Sequence, residues 1–264
     1  MGPRRGWDSR RDWLGSPNSC GFERARSMDT TELTRRLATA ALAGTRTVNA
    51  STYKELSRED AYDIQDGVRA AMGAAIGMLK TAIHSDGVGV ASPIYADRVG
   101  TSLALRLPAS LVLGVEVEIG VVLGRDVNFS GDLPGAIDHY FTGVEVCGTR
   151  YVDRSLAGPT GALADSQSAL GYVIGANRAP IEDVSGLHVA IDFAGEQIYA
   201  APAKHGFGSV LASLRAYADH QRPSLPLTVG TTITTGSVCG LVPTSGAGHV
   251  VARLGDQSVE FDLV

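Results

Sequence analysis

The sequence is poor in cysteine and lysine and has no long apolar run. Its three cysteines, Cys20, Cys147 and Cys239, are far apart and form no CxxC pair. Neither a disulfide framework nor a zinc knuckle is therefore predicted, and inert thiols in a reducing cytoplasm are the favoured interpretation. No stretch approaches the roughly 18 apolar residues of a membrane-spanning helix, and none near the N-terminus is typical of an export signal. We expect a cytoplasmic protein without a membrane partner.

Basic residues are not in excess either. The net charge of −5 and the pI near 5.7 argue against a nucleic-acid partner, because binding to phosphates requires a clustered basic surface. Residues 1–27 are the exception, with six arginines against three acidic residues. We predict that this segment is a disordered extension. The rest of the chain has an ordinary globular composition, so a small-molecule ligand is expected.

Helical patterns precede strand patterns along the chain. Capping motifs at Asp29–Glu32 and Ser57–Asp60 open two amphipathic helices, and a further helix is predicted at about 206–220. Strands are predicted at the short apolar runs 76–83, 111–123, 140–147, 170–175, 187–193, 229–235 and 248–263. We predict an α+β fold, with a helical N-terminal part at 28–108 and a β-rich metal-binding catalytic domain at 109–264.

Two carboxylates lie two residues apart in one apolar run. Glu116 and Glu118 are the only charged residues of LVLGVEVEIGVVL at 111–123, and side chains two apart on a strand point to the same face. In apolar surroundings their repulsion raises their pKa values unless a cation compensates. A bound divalent metal would supply that charge. The alternative is an amphipathic strand that exposes both glutamates to water.

A third carboxylate, Glu145, lies in the apolar run 140–147 and can complete a three-carboxylate site. Three oxygen ligands from the protein suit Mg²⁺ or Mn²⁺, and they leave positions for water and for a chelating substrate. Zinc is less favoured because the sequence offers no paired His or Cys.

Several sequence blocks occur in an order typical of one enzyme family. GVEVEIGVVLGRDV at 114–127 is similar to the signature G-V-E-x-E-I-x-x-x-L-G-x-D-L, and VEVCGTR at 144–150 is similar to A-I-E-I-V-D-S-R, with Gly148 in place of Asp. ADSQS at 164–168 resembles A-D-N-A-S, and VGTTITTGS at 229–237 resembles A-G-D-x-I-x-T-G-S. The chain thus resembles the 2-keto-4-pentenoate hydratase/4-oxalocrotonate decarboxylase family of the fumarylacetoacetate hydrolase superfamily.

The resemblance spans about residues 55–262. It implies a β-rich catalytic domain like the C-terminal domain of fumarylacetoacetate hydrolase, and a homo-oligomer. It also implies that Glu116, Glu118 and Glu145 hold Mg²⁺ or Mn²⁺, as their counterparts do in the family. The metal ligands suggested by the strand pattern and those implied by the family are therefore the same.

Two further residues match catalytic positions of the family. Lys80, inside IGMLKTA, matches the lysine of G-x-K-I-G, which is thought to bind substrate or transfer a proton, and burial near a metal would help to lower its pKa. The alternative interpretation of Lys80 is a lysine at the end of a strand whose side chain reaches solvent. His205 opens the block HGFGSVLASLRAYA, which matches G-H-P-x-x-x-V-x-W-L, and its alternative is a helix N-cap.

Ser168 and Ser237 lie within the similar blocks and could donate hydrogen bonds to a substrate carboxylate. Serines before glycine or at strand ends are more often turn formers. Two positions depart from the family: Ala91 replaces the acidic residue of G-V-D/E-x-P, and Thr231 replaces the Asp of A-G-D.

The function implied is that of a metal-dependent lyase acting on a small 2-oxo or 2-enol carboxylic acid. Hydration of 2-hydroxypenta-2,4-dienoate (2-keto-4-pentenoate) in aromatic catabolism is the first expectation. The alternatives are a 4-oxalocrotonate-type 2-oxo-acid decarboxylase, an acylpyruvate C–C hydrolase, and a non-catalytic homologue that binds a metal and an organic acid. Because Ala91 lacks the acidic group of the family, hydration is only slightly preferred to decarboxylation. The replacements at Ala91 and Thr231 together keep the non-catalytic alternative open.

Overall fold

The computed structural model describes residues 30–101, 104–176, 182–244 and 246–264. The predicted extension at 1–27 lies outside the described residues. The helices are α1 Thr30–Ala43, α2 Arg58–Met72, α3 Gly158–Ala164 and α4 Ala212–Ala218. The strands are β1 Ile76–Ile83, β2 Gly89–Tyr95, β3 Val99–Gly100, β4 Ala104–Leu105, β5 Val112–Leu123, β6 Ile137–Gly148, β7 Ala169–Ile174, β8 His188–Phe193, β9 Glu196–Pro202, β10 Thr232–Ser237, β11 Val242–Pro243, β12 Gly248–Leu254 and β13 Gln257–Leu263.

Two sheets form the β-rich part of the described chain. The larger has the strand order β2-β1-β10-β5-β6-β7-β3, with β11 added at the end of β5, and the smaller has the order β4-β13-β12-β8-β9. Most neighbours are antiparallel, whereas β1 pairs with β10, β3 with β7 and β4 with β13 in parallel. The predicted α+β class is confirmed. The predicted domain limits at 28–108 and 109–264 stay predictions.

The first two helices begin where the capping motifs predict. Ser57 caps α2 by accepting a hydrogen bond from the backbone N–H of Asp60, whose carboxylate accepts one from the N–H of Ser57 in return. Such a capping box stabilises a helix by about 1 kcal/mol. The apolar stripes of α1 and α2 pack together around Leu37, Tyr53 and Ile64, all buried. No helix of the described residues is long and apolar enough to cross a membrane.

The last helix is shorter than predicted. The pattern at 206–220 indicated a helix opened by His205, but α4 begins only at Ala212, after a series of turns. Gly206 and Gly208 explain the delay, because glycine disfavours a helical turn and Gly208 has a φ of +83°, outside the helical region. The interpretation of His205 as the start of a helix is therefore wrong.

Strand β2 was not predicted from the sequence. All seven of its residues are buried, so it lacks the alternation of apolar and polar residues that marks a half-exposed strand. It also contains Pro93, which cannot donate a backbone hydrogen bond. The position of β2 at the edge of the larger sheet accommodates this proline, because an edge strand has one unpaired side.

The main core lies between the two sheets. Alternate residues of β5, Val115, Val117, Ile119 and Val121, point into it and meet side chains of β12 and β13 such as Val250 and Phe261. The opposite face of β5 carries Glu116 and Glu118. One face of the larger sheet therefore supplies the apolar core, which leaves the other face for polar side chains.

Candidate metal centre

Strand register brings the three predicted glutamates to one face of the larger sheet. Glu116 of β5 lies directly opposite Glu145 of β6, and Glu118 lies opposite Gly143. Directly paired residues of adjacent strands share a face, so the three carboxylates project to the same side. Glu118 and Glu145 are fully buried, and Glu116 is half-buried. We call this surface the carboxylate face.

Lys80 lies on the same face. It reaches the glutamates through the parallel pairing of β1 with β10, in which Lys80 is the partner of Thr234. Its Nζ donates to Glu145 Oε1 at 2.6 Å and to the Gln167 carbonyl at 3.3 Å. The predicted placement of Lys80 inside an apolar strand near the carboxylates agrees with this geometry. The alternative of a lysine that reaches solvent does not, because only 12% of its side chain is exposed.

Two buried carboxylate oxygens on this face lack partners. Glu118 accepts a hydrogen bond from the Thr234 hydroxyl through Oε2, but its Oε1 and the Oε2 of Glu145 have no hydrogen-bond partner among the described residues. Leaving a buried polar atom unsatisfied is costly, and more so for a charged group. The residues therefore fit a divalent cation, which would use these oxygens as ligands.

The charges on the carboxylate face lead to the same conclusion. Three ionised glutamates and one ammonium leave two uncompensated negative charges. Burial and the neighbouring Glu145 raise the pKa of Glu118 well above its usual range, against the opposing effects of Lys80 and Thr234. Burial also raises the pKa of Glu145, although Lys80 opposes this. These shifts favour protonation of the metal-free face, whereas a cation of charge +2 would balance its charge.

The same carboxylates control the charge of Lys80. Burial by itself lowers the pKa of Lys80, but Glu145 and the other acidic groups of this face outweigh burial, and the pKa lies well above its ordinary value. Lys80 is therefore an ammonium when the glutamates are its only charged neighbours.

A strained turn lies against Lys80. Ser166, Gln167 and Ser168 all have positive φ values, of 52°, 53° and 64°, which non-glycine residues rarely adopt and which cost of order 1–3 kcal/mol each. The buried ion pair between Arg150 and Asp165 holds the start of this turn. Arg150 also donates to the Asp165 carbonyl at 2.6 Å. The strain places the Gln167 carbonyl beside the Lys80 ammonium.

A cavity of about 330 Å³ opens onto this turn and includes Lys80 and Gln167 in its wall. His84 and Arg154 also contribute to its lining. A larger cleft of about 460 Å³, lined by residues such as Tyr140 and Arg215, does not include the carboxylate face. The smaller cavity is the better route for a ligand because it reaches the ion pair of Lys80.

Comparison with known proteins shows the fold. No family model matches the chain, and no curated protein matches it. Among solved structures, 4-oxalocrotonate decarboxylase from Pseudomonas putida G7, complexed with magnesium and adipate, matches with a TM-score of 0.72 and 22% identity over 89% of this chain and 97% of that chain. The same enzyme complexed with calcium and acetate gives the same values.

The chain has the fold of 4-oxalocrotonate decarboxylase. A weaker similarity, with a TM-score of 0.50 and 17% identity over 72% of this chain and 80% of that chain, relates it to 5-carboxymethyl-2-hydroxymuconate delta-isomerase from Mycobacterium smegmatis. The fold implied by the sequence motifs and the fold of the 4-oxalocrotonate decarboxylase structure therefore agree.

His205 lies at the edge of the site in this decarboxylase-type fold. The backbone around it pairs with the end of β10, where Gly206 N–H donates to the Ser237 carbonyl at 2.8 Å, and Ser237 is the register partner of Glu118. The His205 ring accepts from the Phe207 N–H at 3.2 Å through Nδ1, while its buried Nε2 has no partner among the described residues. Burial lowers its pKa, so His205 is a neutral imidazole, and its catalytic role stays a prediction.

The two predicted serines differ in their surroundings. Ser168 is buried at the start of β7, and its hydroxyl has no partner among the residues that the structure describes. The Ser237 hydroxyl instead accepts from the N–H groups of Cys239 and Gly240, at 3.2 and 2.8 Å. Ser237 is thus a turn former, whereas Ser168 keeps a free hydroxyl next to Gln167. A substrate-binding role stays a prediction for both.

The two departures from the family pattern lie away from the carboxylate face. Ala91 pairs with Thr81, whose hydroxyl bonds to Ser213 near α4, and Ala91 belongs to the main core. Thr231 lies in the turn that precedes β10, where its hydroxyl is 3.3 Å from that of Thr228. Neither replacement removes a group from the carboxylate face of this structure.

Sequence reasoning did not assign three side chains of this face. Tyr172 pairs with Glu145 across β6 and β7, and its hydroxyl is 3.4 Å from that of Thr234. Cys147 lies two residues beyond Glu145 and donates to its Oε1 at 3.5 Å. The alternation rule for strands could have placed Cys147 beside Glu145. Tyr172 and Thr234 could be placed on this face only from the strand order, which the sequence does not indicate.

Proposed function

We propose that the chain is a divalent-metal-dependent lyase that acts on a small 2-oxo or 2-enol carboxylic acid. The observation that carries the proposal is the convergence of Glu116, Glu118, Glu145 and Lys80 on one face, where two carboxylate oxygens have no partner among the described residues. The 4-oxalocrotonate decarboxylase of the same fold was solved with magnesium or calcium. The glutamates are proposed as ligands of Mg²⁺ or Mn²⁺.

The proposed chemistry divides between the cation and the protein. When bound, a divalent cation supplies Lewis-acid stabilisation of the negative charge that develops on the enolate of a 2-oxo acid. Lys80 is placed to deliver a proton to the enolate carbon, because its ammonium lies between Glu145 and the Gln167 carbonyl at the wall of the cavity. The strained turn at 166–168 fixes the direction of that ammonium.

Decarboxylation is the form of this chemistry that the arrangement favours. Decarboxylation requires stabilisation of the enolate and one proton donor. Lys80 can supply the proton. Hydration requires in addition a group that activates water, whereas on the carboxylate face the three glutamates are the proposed ligands and Lys80 is an ammonium. The similarity to a decarboxylase over 97% of that enzyme's length supports the same choice.

Hydration of 2-hydroxypenta-2,4-dienoate remains the second candidate, since His205 near the end of β10 offers a neutral imidazole whose Nε2 has no partner among the residues that the structure describes. Release of CO₂ from 4-oxalocrotonate and loss of the dienoate absorbance distinguish the two reactions. If the protein consumes the dienoate and releases no CO₂, the preference for decarboxylation is wrong.

Enolisation tests the class of reaction without knowledge of the natural substrate. We expect the C3 protons of 2-oxopentanoate to exchange in deuterium oxide in the presence of the protein and Mg²⁺ or Mn²⁺, and to exchange at the background rate when the metal is chelated. Proton NMR measures both rates. Binding of the oxo acid and the metal without exchange would contradict the enzyme proposal and support a non-catalytic binding protein.

A further inference from the structure

One side chain on the carboxylate face is a thiol. The sulfur of Cys147 and oxygen atoms of Glu116 and Glu145 lie within 4.8 Å of one another. Cys147 is buried, with 3% of its surface exposed, and its thiol donates a hydrogen bond to Glu145 Oε1 at 3.5 Å. The thiol therefore lies among the proposed ligands, and not in the apolar core where an inert cysteine would be expected.

The strand geometry fixes this position. Cys147 and Glu145 are two apart on β6, so they share a face, and the residue opposite Cys147 on β5 is Gly114. Glycine is needed there because a Cβ would clash with the backbone of Val242, where β11 pairs with β5. Valine stands at the Cys147 position in the similar motif A-I-E-I-V-D-S-R, so the thiol is a feature that distinguishes this chain from that motif.

We propose that Cys147 is a ligand of the divalent cation, together with Glu116 and Glu145, and that the centre therefore selects a borderline ion such as Co²⁺ over Mg²⁺. The inference rests on the proposed metal centre and specifies its cation. Mg²⁺ strongly prefers oxygen ligands, whereas sulfur ligands favour later and softer transition metals. When the ion binds, the thiol proton passes to water and the sulfur takes its place in the ligand shell.

Cobalt is the sharpest probe because a sulfur–cobalt bond produces a charge-transfer band in the near ultraviolet. We expect the Co²⁺-loaded wild-type protein to show this band and the Cys147→Val variant to lack it. Valine has nearly the same shape as cysteine, so the fold should be retained. Circular dichroism and thermal unfolding of the metal-free proteins verify that.

Cys239 is the matched control. It is a partly buried cysteine that donates to its neighbour's carbonyl, Gly240 O, at 3.2 Å, and its sulfur lies outside the group formed with Glu116 and Glu145. The Cys239→Ala and Cys20→Ala variants should keep the band. Loss of the band in either control, or its survival in Cys147→Val, would overturn the assignment of the sulfur ligand.

Metal affinity gives a second readout that does not depend on activity. We expect Cys147→Val to weaken Co²⁺ binding by at least about tenfold while Mg²⁺ binding changes little. Equal losses for both ions, or none, would contradict selection by sulfur. Failure of the wild-type protein to bind either ion in equilibrium dialysis would instead overturn the metal centre itself. Binding of Co²⁺ without the band would overturn only the role of Cys147.

Discussion

Two strands of this protein carry nearly the same alternating pattern and use it in opposite ways. β5 contains VEVEI at 115–119, and β13 contains VEFDL at 259–263. In both, apolar residues point into the core between the sheets. The acidic residues of β13, Glu260 and Asp262, are exposed, whereas Glu118 of β5 is fully buried. Local pattern therefore fixes which residues share a face, but it does not determine what covers that face.

The position of each strand explains the difference. β5 lies between β10 and β6 in the larger sheet, and its acidic face is covered by the turn at 166–168 and the side chains around Lys80. β13 belongs to the smaller sheet, whose outer face is open, and Asp262 there pairs with exposed His249 at 2.8 Å. Acids on an open face interact with water at little cost. Acids on a covered face require a cation.

Loss of Lys80 should have the largest effect, because it removes the proposed proton donor. We expect Lys80→Met to lower the rate of metal-dependent C3 exchange of 2-oxopentanoate by about 10²- to 10⁴-fold. The exposed Lys204 provides the control, and Lys204→Met should exchange at the wild-type rate. Proton NMR in deuterium oxide measures both, and equal rates in the two variants would exclude Lys80 from the reaction.

The second comparison concerns ion pairs. Asp165→Asn breaks the buried pair with Arg150, and we expect a loss of about 3–5 kcal/mol in the free energy of unfolding. Asp192→Asn breaks the pair with Arg253 on the smaller sheet, which is 2.8 Å long and partly exposed, and it should cost less than about 1 kcal/mol. Urea unfolding measures both values. Similar losses would show that the turn at 166–168 does not depend on its buried anchor.

The third comparison sets the acids of β5 against those of β13. Glu116→Gln and Glu118→Gln should each weaken Mn²⁺ binding by at least about 100-fold, the upper end of the loss found for residues that only support metal ligands. Glu260→Gln should leave the affinity unchanged. Isothermal titration gives the affinities, and thermal unfolding of the metal-free variants shows that their fold is intact. Wild-type affinity in Glu118→Gln would remove Glu118 from the centre.

The smallest expected effect is in the pH dependence of stability. Glu118 has a raised pKa in the folded protein, so the folded state binds its proton more tightly than the unfolded state. Its contribution to stability is therefore lost as the pH rises above the ordinary value of 4.5. Relative to Glu118→Gln, the metal-free wild-type protein should lose stability as the pH rises above about 5, and saturating Mn²⁺ should abolish this trend.

The contribution of His205 to stability changes with pH in the opposite direction to that of Glu118, so the two can be distinguished. Burial lowers its pKa below the ordinary 6.5, so the folded state disfavours its charged form and stability is lost as the pH falls below that value. Urea unfolding at a series of pH values, with Glu260→Gln as the unchanged reference, resolves the two contributions. A flat difference between wild type and Glu118→Gln would contradict the burial of Glu118 in solution.

Much of the secondary structure could be predicted from local pattern. The capping motifs located α1 and α2, and apolar runs located β1, β5 and β6. The fully buried β2 and the late start of α4 could not be predicted, because the first has no alternating pattern and the second depends on backbone conformations at Gly206–Gly208. Local sequence describes an element well only when its own side chains decide its conformation.

The sequence by itself determined that Glu116 and Glu118 share a face and that Lys80 lies within a strand, because the side-chain repeat of a β-strand is a local property. Only the tertiary structure decided that Glu145 lies opposite Glu116, that β10 brings Lys80 to the carboxylates, and that Cys147 joins them. Strand order and burial depend on residues distant in sequence. Those long-range pairings convert a pattern shared with the exposed β13 into a candidate metal centre.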